Sequence, residues 1–547
     1  MTTAEQPRTG RYPDLVPYSV RRAWSAAGNY PDRDLYTLFS EQCAAAPDRP
    51  AVIDADGEVS YLELDEMARS LAAGLAGLGV EPGDVVAVQL PNGRLACVAD
   101  LAIAALGAVA LPYPAGRGQR EAAGLLARSE AVAVITVTEY GDFPCAERIR
   151  ALATELPTLR AVVAVGTETP RGCVPMHALL AGGAHGFRPA RPDPDGPARI
   201  LVTSGSEAEP KMVLYSHNAL AGGRGAMMAG LRRDSTPMRN LFLVPLASAF
   251  GSSGTAVTLA TLGGTLVLQP RFDAAATLEL IHRARPTHLL GVPTMLRMLL
   301  DHPAFAGTDT GSLHAVVLGG SVLDEPTVRR GRDALGCPVL NLYGSADGVS
   351  CHTALDDPPP RATTAGRPNP AVAEVRIVDT ELRDLPRGEI GEIVARGPMS
   401  PLCYVAAPEL DRRYRIDGGW VRTGDLGLID ADGYLVVAGR LKDVVIRGGM
   451  NISPAEVEAV LITHPAITDV ACVPVSDPVL GERLCACVAG PGSLTLRQLT
   501  DHLRGTGLEQ RKFPEKLLVL PALPLGAAGK IDRRALRAEA ELRATDQ

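Results

Sequence analysis

From residue 61 onward the sequence alternates between two hydrophobic rhythms, and no other feature limits the open folds so strongly. Apolar side chains recur at 61, 64, 67, 71, 75 and 78, which is helical spacing, with Ser60 available as N-cap and Gly79 as stop. Residues 84–90 then read as a buried strand closed by Pro91, Asn92 and Gly93. A helix over 96–106 and a strand over 108–111 follow. Strand-like runs return at 131–136, 161–165, 265–269, 288–292 and 315–318, mostly with a helical pattern between them. This rhythm predicts layered α/β structure with largely parallel sheets.

After Ala365 the texture changes. Short β-rich runs at 372–379, 391–395 and 434–438, separated by Gly, Pro and Asp, predict a smaller antiparallel or barrel-like unit. Beyond Asp443 an α+β pattern takes over: helix 454–464, strand 469–474, helix 495–504 and strand 516–520. A chain of 547 residues is too long for one compact core. The main boundary is placed at Arg440-Leu441-Lys442-Asp443, giving an N-terminal extension over 1–35, a large domain over 36–440 and a small one over 441–547. There are no internal repeats, and only the two ends read as disordered.

Charge and cysteine usage exclude several classes. A net charge of -8 and scattered basic residues give no general attraction to nucleic acid or to an anionic membrane. The longest apolar run, 97–109, is broken by Asp100 and too short to span a bilayer. Ten cysteines lack metal-site spacing. Cys485 and Cys487 flank one residue, so on a strand they point the same way. Reduced, buried thiols in a cytoplasmic protein are expected, none of them a nucleophile.

The chemistry is carried by short polar segments. After the apolar run Ile200-Leu201-Val202 comes Thr203-Ser204-Gly205-Ser206-Glu207-Ala208-Glu209-Pro210-Lys211. Such a turn can lay backbone N–H groups, hydroxyls and one ammonium around a polyphosphate, although it is not a Walker loop. Tyr343-Gly344-Ser345-Ala346-Asp347-Gly348 follows another apolar strand. Then come Trp420-Val421-Arg422-Thr423-Gly424-Asp425-Leu426-Gly427, Asp432-Gly433-Tyr434 and Gly439-Arg440-Leu441-Lys442-Asp443. Near the end stands Pro524-Leu525-Gly526-Ala527-Ala528-Gly529-Lys530-Ile531-Asp532-Arg533. In this order and at these separations, from Tyr36 to Arg534, the set resembles the adenylate-forming superfamily of acyl- and aryl-CoA ligases, stand-alone adenylation domains and luciferases.

The resemblance implies a large N-terminal domain of layered α/β subdomains with a small β-rich subdomain, and a mobile α+β C-terminal domain. It implies that ATP activates a carboxylic acid as acyl-AMP with loss of pyrophosphate, and that a thiol then displaces AMP. Thr203, Ser204, Gly205, Ser206 and Lys211 match the loop around the β- and γ-phosphates; Glu207, Ala208 and Met212 depart from the usual pattern. Gly319, Gly320 and Ser321 match the turn beside the nucleotide, and Asn341, Leu342, Tyr343, Gly344 and Ser345 the segment against which adenine stacks. Asp347 stands at the place of a metal-binding carboxylate, for Mg²⁺, and Ala346 replaces a common threonine. Asp425 is expected on the ribose hydroxyls and Arg440 on the sugar or phosphate. Lys442 matches the hinge. Lys530 is the expected catalytic residue, bridging the attacking carboxylate and the ribose–phosphate oxygens. Gly448 and Gly449 are expected to line the path of a phosphopantetheine arm.

The resemblance also places the acid against Ser248, Ala249, Phe250, Gly320, Gly344 and Gly348. Ala249 stands where amino-acid-activating relatives carry aspartate and dihydroxybenzoate-activating ones asparagine. Alanine can neither pair an ammonium nor hydrogen-bond a phenol, and an unpaired buried ammonium costs several kcal/mol. An aromatic, alicyclic or short to medium aliphatic acid without an α-amino group is therefore expected. The acceptor is expected to be coenzyme A, because Asn451-Ile452-Ser453-Pro454 looks like CoA ligases. Ala346 and Leu355-Asp356-Asp357-Pro358 look instead like aryl-acid enzymes that load the phosphopantetheine of an acyl carrier protein. The resemblance is also compatible with an amide-forming ligase and with a non-catalytic sensor of acyl-adenylate. Relatives include homodimers, and enzymes of this type serve secondary metabolism.

Overall fold

The structure is a computed structural model, and it describes residues 11–203, 210–321, 323–441, 443–447, 450–490, 493–506, 508–526 and 530–544. Two eight-stranded sheets carry the α/β rhythm. In one, Val85–Gln89 lies between Val109–Pro112 and Ala133–Val137, all parallel, with Ala161–Val165 beyond. Pro197–Val202 and Met212–Ser216 form an antiparallel hairpin on the other side, with Cys403–Tyr404 as the edge strand. The second sheet runs Val339–Ser345, Ala315–Gly319, His288–Gly291, Arg239–Phe242, Thr265–Leu268 and Pro50–Asp54 in parallel, with antiparallel strands at both edges.

The helix Tyr61–Gly77 begins where the spacing predicts. Ser60 Oγ accepts from the Glu63 N–H at 3.2 Å, and the Glu63 carboxylate accepts from the Ser60 N–H at 2.8 Å, a reciprocal capping box. The next helix, Arg94–Ala105, starts two residues before the expected 96. Gly93 offers no capping side chain, and Asp54 from another strand takes that place. It accepts from the Arg94 N–H at 2.9 Å and pairs the same residue's guanidinium at 2.5 Å. A cap from 40 residues upstream leaves no local signal.

The β-rich unit is an antiparallel sheet of Glu374–Val378, Gly391–Arg396, Trp420–Ile429 and Arg415–Ile416, with Leu435–Arg440 paired to Trp420–Ile429. A fourth sheet draws only on residues from 445 onward: Met450–Ile452, Val445–Arg447, Gly481–Ala489 and Asp469–Asp477, plus Lys516–Leu520 running parallel to Gly481–Ala489. On Gly481–Ala489, Cys485 and Cys487 share one buried cluster while Ala486 faces another. The chain is thus mixed α/β with a large N-terminal and a small C-terminal domain.

One stretch departs from expectation. The N-terminal end reads as disordered, yet within the extension residues 11–34 carry the helix Tyr18–Ala26 and dock on the large domain. Buried Arg21 pairs Asp14 at 2.5 Å and donates to the Tyr30 hydroxyl at 3.1 Å. Arg22 pairs Asp195 at 2.7 Å, and the Leu15 N–H donates to the Leu402 carbonyl. A polar, proline-rich segment is held here by ion pairs to distant residues, which composition does not reveal. Among the described residues no helix is long and apolar enough to cross a membrane.

Candidate active site

Parallel strands present their ends on one side of a sheet, and the loops leaving those ends build the site. Ala315–Gly319 ends at the turn of Gly319 and Gly320, while Val339–Ser345 brings up Tyr343, Gly344 and Ser345. Gly320 has φ +84°, a left-handed conformation, and a Cβ there would lie 3.0 Å from Lys530 Cε and 3.3 Å from its Nζ. The lysine of the small domain therefore lies against the Gly319-Gly320 turn of the large one.

Around that meeting point the charges are ordered. Asp425, buried in the strand Trp420–Ile429, accepts from the Tyr343 hydroxyl at 2.7 Å and from Arg440 Nε at 3.0 Å. Asp425 and Arg440 face each other across paired strands, so their contact is set by sheet register. Burial raises the Asp425 carboxyl above the usual range, against the pull of Arg440 and the Tyr343 hydroxyl. The surface of Lys530 stays open to solvent, yet its ammonium is crowded. Desolvation first, then repulsion from Arg440, lower its pKa, with Asp425 opposing.

A second knot forms at Asp347. Its buried carboxylate accepts from the Tyr404 hydroxyl at 2.5 Å and from Ser345 Oγ at 2.7 Å, with Lys211 Nζ 3.7 Å away. The same ammonium lies 3.7 Å from the centre of the Tyr414 ring. Thr203 and Lys211, at the two ends of the segment expected to meet phosphate, pair with each other: the Thr203 N–H donates to the Lys211 carbonyl, and the Lys211 N–H to Thr203 Oγ1. Arg117 and Arg128 brace the turn from outside through the carbonyls of Thr203, at 3.5 Å, and Pro210, at 3.1 Å. Ser204, Gly205 and Ser206 lie outside the described residues, as do Lys442, Gly448 and Gly449. Gly348, at φ +112°, turns the chain beside Asp347, and a Cβ there would meet Pro401 Cδ at 2.7 Å.

The expected acid-binding segment packs as a tight turn. Ser248 Oγ accepts from the Gly251 N–H at 3.0 Å, and Phe250 sets its edge to Phe242 with centroids 6.3 Å apart. The Ala249 carbonyl accepts from Arg224 Nη1 at 2.7 Å. Not every expected nucleotide residue meets the knot. Asn341 spends its amide on the Thr364 carbonyl at 2.9 Å, Leu342 is buried in the core, and Ser321 is exposed beyond the turn. Sequence reasoning missed Tyr404, Tyr414, Arg117, Arg128 and Arg224. Each is an ordinary residue in its own segment and acquires meaning only through a partner far along the chain.

No group of three His, Cys, Asp or Glu among the described residues could hold a metal by itself. A single carboxylate such as that of Asp347 is enough for Mg²⁺ that reaches a protein on polyphosphate, because that ion keeps most of its waters and needs only one or two carboxylates.

Comparison with known proteins agrees in extent and kind. The family model described as AMP-binding enzyme matches residues 39–405, and that described as AMP-binding enzyme C-terminal domain matches 456–530. The salicyl-AMP ligase / salicyl-S-ArCP synthetase of Mycobacterium tuberculosis is 35% identical, over 95% of this chain and 94% of its own length. The 2-hydroxy-7-methoxy-5-methyl-1-naphthoate–CoA ligase of Streptomyces carzinostaticus is 33% identical, over 96% of each. The crystal structure of the anthranilate CoA ligase AuaEII with anthranoyl-AMP superposes with a TM-score of 0.84 at 25% identity, covering 94% of this chain and 99% of that one.

Proposed function

This chain belongs to the AMP-binding enzyme family and is an AMP-forming acid–thiol ligase; from that premise we propose how its own residues divide the work. An oxygen of the acid's carboxylate attacks the α-phosphorus of ATP, the bond from that phosphorus to the bridging oxygen breaks, and pyrophosphate leaves. Lys530 supplies positive charge to the oxygens that crowd the phosphorus, where a fixed cation lowers the barrier most. Asp425, an acceptor-only carboxylate, takes the ribose hydroxyls, and Arg440 holds it in place. Tyr343 offers its ring to the adenine. Lys211 meets the departing phosphates together with the Thr203 turn, including Ser204, Gly205 and Ser206. Asp347 would hold Mg²⁺, which when bound neutralises phosphate charge.

In the second half-reaction the sulfur of coenzyme A attacks the acyl carbon, its proton passes to solvent, and AMP departs. Rotation of the small domain about Lys442 removes Lys530 from the nucleotide and brings Gly448 and Gly449 to the incoming arm. The observation that supports this reading is the meeting of Lys530 with Gly320, Arg440 and Asp425 across two domains. The acid lacks an α-amino group, since Ala249 offers no counter-charge to an ammonium. Loading of a carrier-protein phosphopantetheine is the second reading, favoured by the likeness to the salicyl-S-ArCP synthetase.

ATP–pyrophosphate exchange over a panel of carboxylic acids tests the first half-reaction. Exchange with at least one acid is expected, and silence with all of them would return the chain to a nucleotide sensor. Supplying the best acid with coenzyme A or with a pantetheinylated carrier protein then decides the acceptor.

A further inference from the structure

Arg21, Arg199 and Arg224 are among the most deeply buried arginines of the described residues. Arg21 pairs Asp14 at 2.5 Å, and Arg199 pairs Asp100 at 2.7 Å. Arg224, 5% exposed, has no carboxylate within 4.0 Å among the described residues. It donates to the Ala249 carbonyl at 2.7 Å, its guanidinium lies 5.1 Å from the centre of the Tyr215 ring, and it also interacts with the Tyr215 hydroxyl, so its partners are neutral and none supplies a counter-charge. Its Nε is buried with no hydrogen-bond partner. A guanidinium keeps its charge in any protein environment, and a buried, uncompensated cation costs several kcal/mol.

The position of Arg224 says what could compensate it. On one side stands the carbonyl of Ala249, in the wall expected to face the acid. On the other stands Tyr215, whose hydroxyl donates to the Ala346 carbonyl at 2.9 Å, in the turn between Ser345 and Asp347. Arg224 and Tyr215 together thus link the expected acid wall to the turn that carries Ala346.

We propose that Arg224 is a specificity-determining residue that binds a second oxygen of the acid, a hydroxyl or a second carboxylate distinct from the one that reacts. This rests on the ligase reading above and names its substrate class: carboxylic acids with an additional oxygen acceptor. A pocket with alanine at 249 would then draw its polar contact from Arg224, at the start of the helix Arg224–Ala229. An acid lacking that oxygen leaves the buried cation unpaired, and sites of this kind reject such analogues strongly.

The test is ATP–pyrophosphate exchange by the full chain with matched acids: benzoate against 2-, 3- and 4-hydroxybenzoate and benzene-1,2- and 1,3-dicarboxylate, and butanoate against hydroxybutanoates and butanedioate. At least one oxygenated acid is expected to exceed its parent in kcat/KM by about tenfold to a hundredfold, the range of a hydrogen bond to a charged group. Arg224→Met should bring that ratio to within about threefold of unity, and Arg224→Lys should retain part of it. The thermal midpoint of Arg224→Met should not fall, because methionine replaces an unpaired charge. Hydroxyl and dicarboxylate arms separate the two oxygen sources. Parent acids used as well as every oxygenated partner would overturn the inference and leave the ligase reading standing, as would equal losses with all acids in both variants. If the methionine variant does not fold, the wild-type ratios and the lysine variant still decide. Exchange with no acid at all would overturn the ligase reading, and this inference with it.

Discussion

Lys530 lies against Gly320 of the other domain, and the catalytic role proposed for it depends on a few ångströms of that approach. Lys530→Ala should lower pyrophosphate exchange by roughly a hundredfold to a thousandfold, the usual cost of removing one preorganised charge from a transition state. Thioester formation from supplied acyl-AMP should suffer far less, and equal loss in both steps would remove the lysine from its assigned role. Gly320→Ala tests the same contact from the other side. The new Cβ sits 3.0 Å from Lys530 Cε on a backbone at φ +84°, which costs an alanine about 1–2 kcal/mol. Single-turnover assays should show adenylation slowed more than thioester formation. The types of these residues were legible in the sequence: a lysine after glycines, a Gly-Gly-Ser turn, a Thr-Gly-Asp strand. Tyr404 on Asp347 and Arg224 under Ala249 were not, because a tyrosine or an arginine in an amphipathic segment looks the same whether solvated or buried.

At the scale of elements, helix starts show how far local signals reach. The helix Tyr61–Gly77 carries its own cap, and Ser60→Ala should cost about 1 kcal/mol in denaturant unfolding of the large domain. The helix Arg94–Ala105 borrows its cap from Asp54, which is buried and also pairs the Arg94 guanidinium. Asp54→Ala removes a cap and strands a half-buried cation, so a loss of about 3–5 kcal/mol is expected. Similar losses in the two variants would show that the Asp54 pair does not stabilise the helix beyond an ordinary cap. Parallel strands were readable as unbroken apolar runs, and the sheets were predicted in kind. Their order was not, since Arg239–Phe242 inserts between strands that come after it in the chain.

For the whole molecule, buried histidines set a lower limit of pH. Burial pushes His288 down to about 4 from 6.5; the Leu231 carbonyl and Asp234 oppose this, and His314 adds to it. His217, wholly enclosed, is likewise lowered to about 4 by desolvation, against the pull of Asp34 and Asp193. Its Nδ1 accepts from the Leu35 N–H, which ties the imidazole to the neutral form. Both groups have folded values below their unfolded ones. Their stabilisation is complete above about 6.5 and is lost as pH falls toward about 4, where the unfolded chain binds protons that the fold refuses. Thermal midpoints should drop across that window, by the equivalent of about 3 kcal/mol for each imidazole. His288→Asn should shrink the slope, and an unchanged slope would place the acid sensitivity elsewhere.

By itself the sequence determined the α/β rhythm, the change of texture after Ala365 and the polar segments that meet around Gly320, Asp347 and Asp425. Hydrophobic period, turn chemistry and the donor inventory of a side chain are properties of neighbours in the chain. Only the tertiary structure decided that Asp54 caps a helix 40 residues away, that residues 11–34 are docked, that Lys530 touches Gly320 and that Arg224 is buried with no carboxylate beside it among the described residues. Those contacts join residues from tens to hundreds of positions apart, and packing rather than local preference selects them.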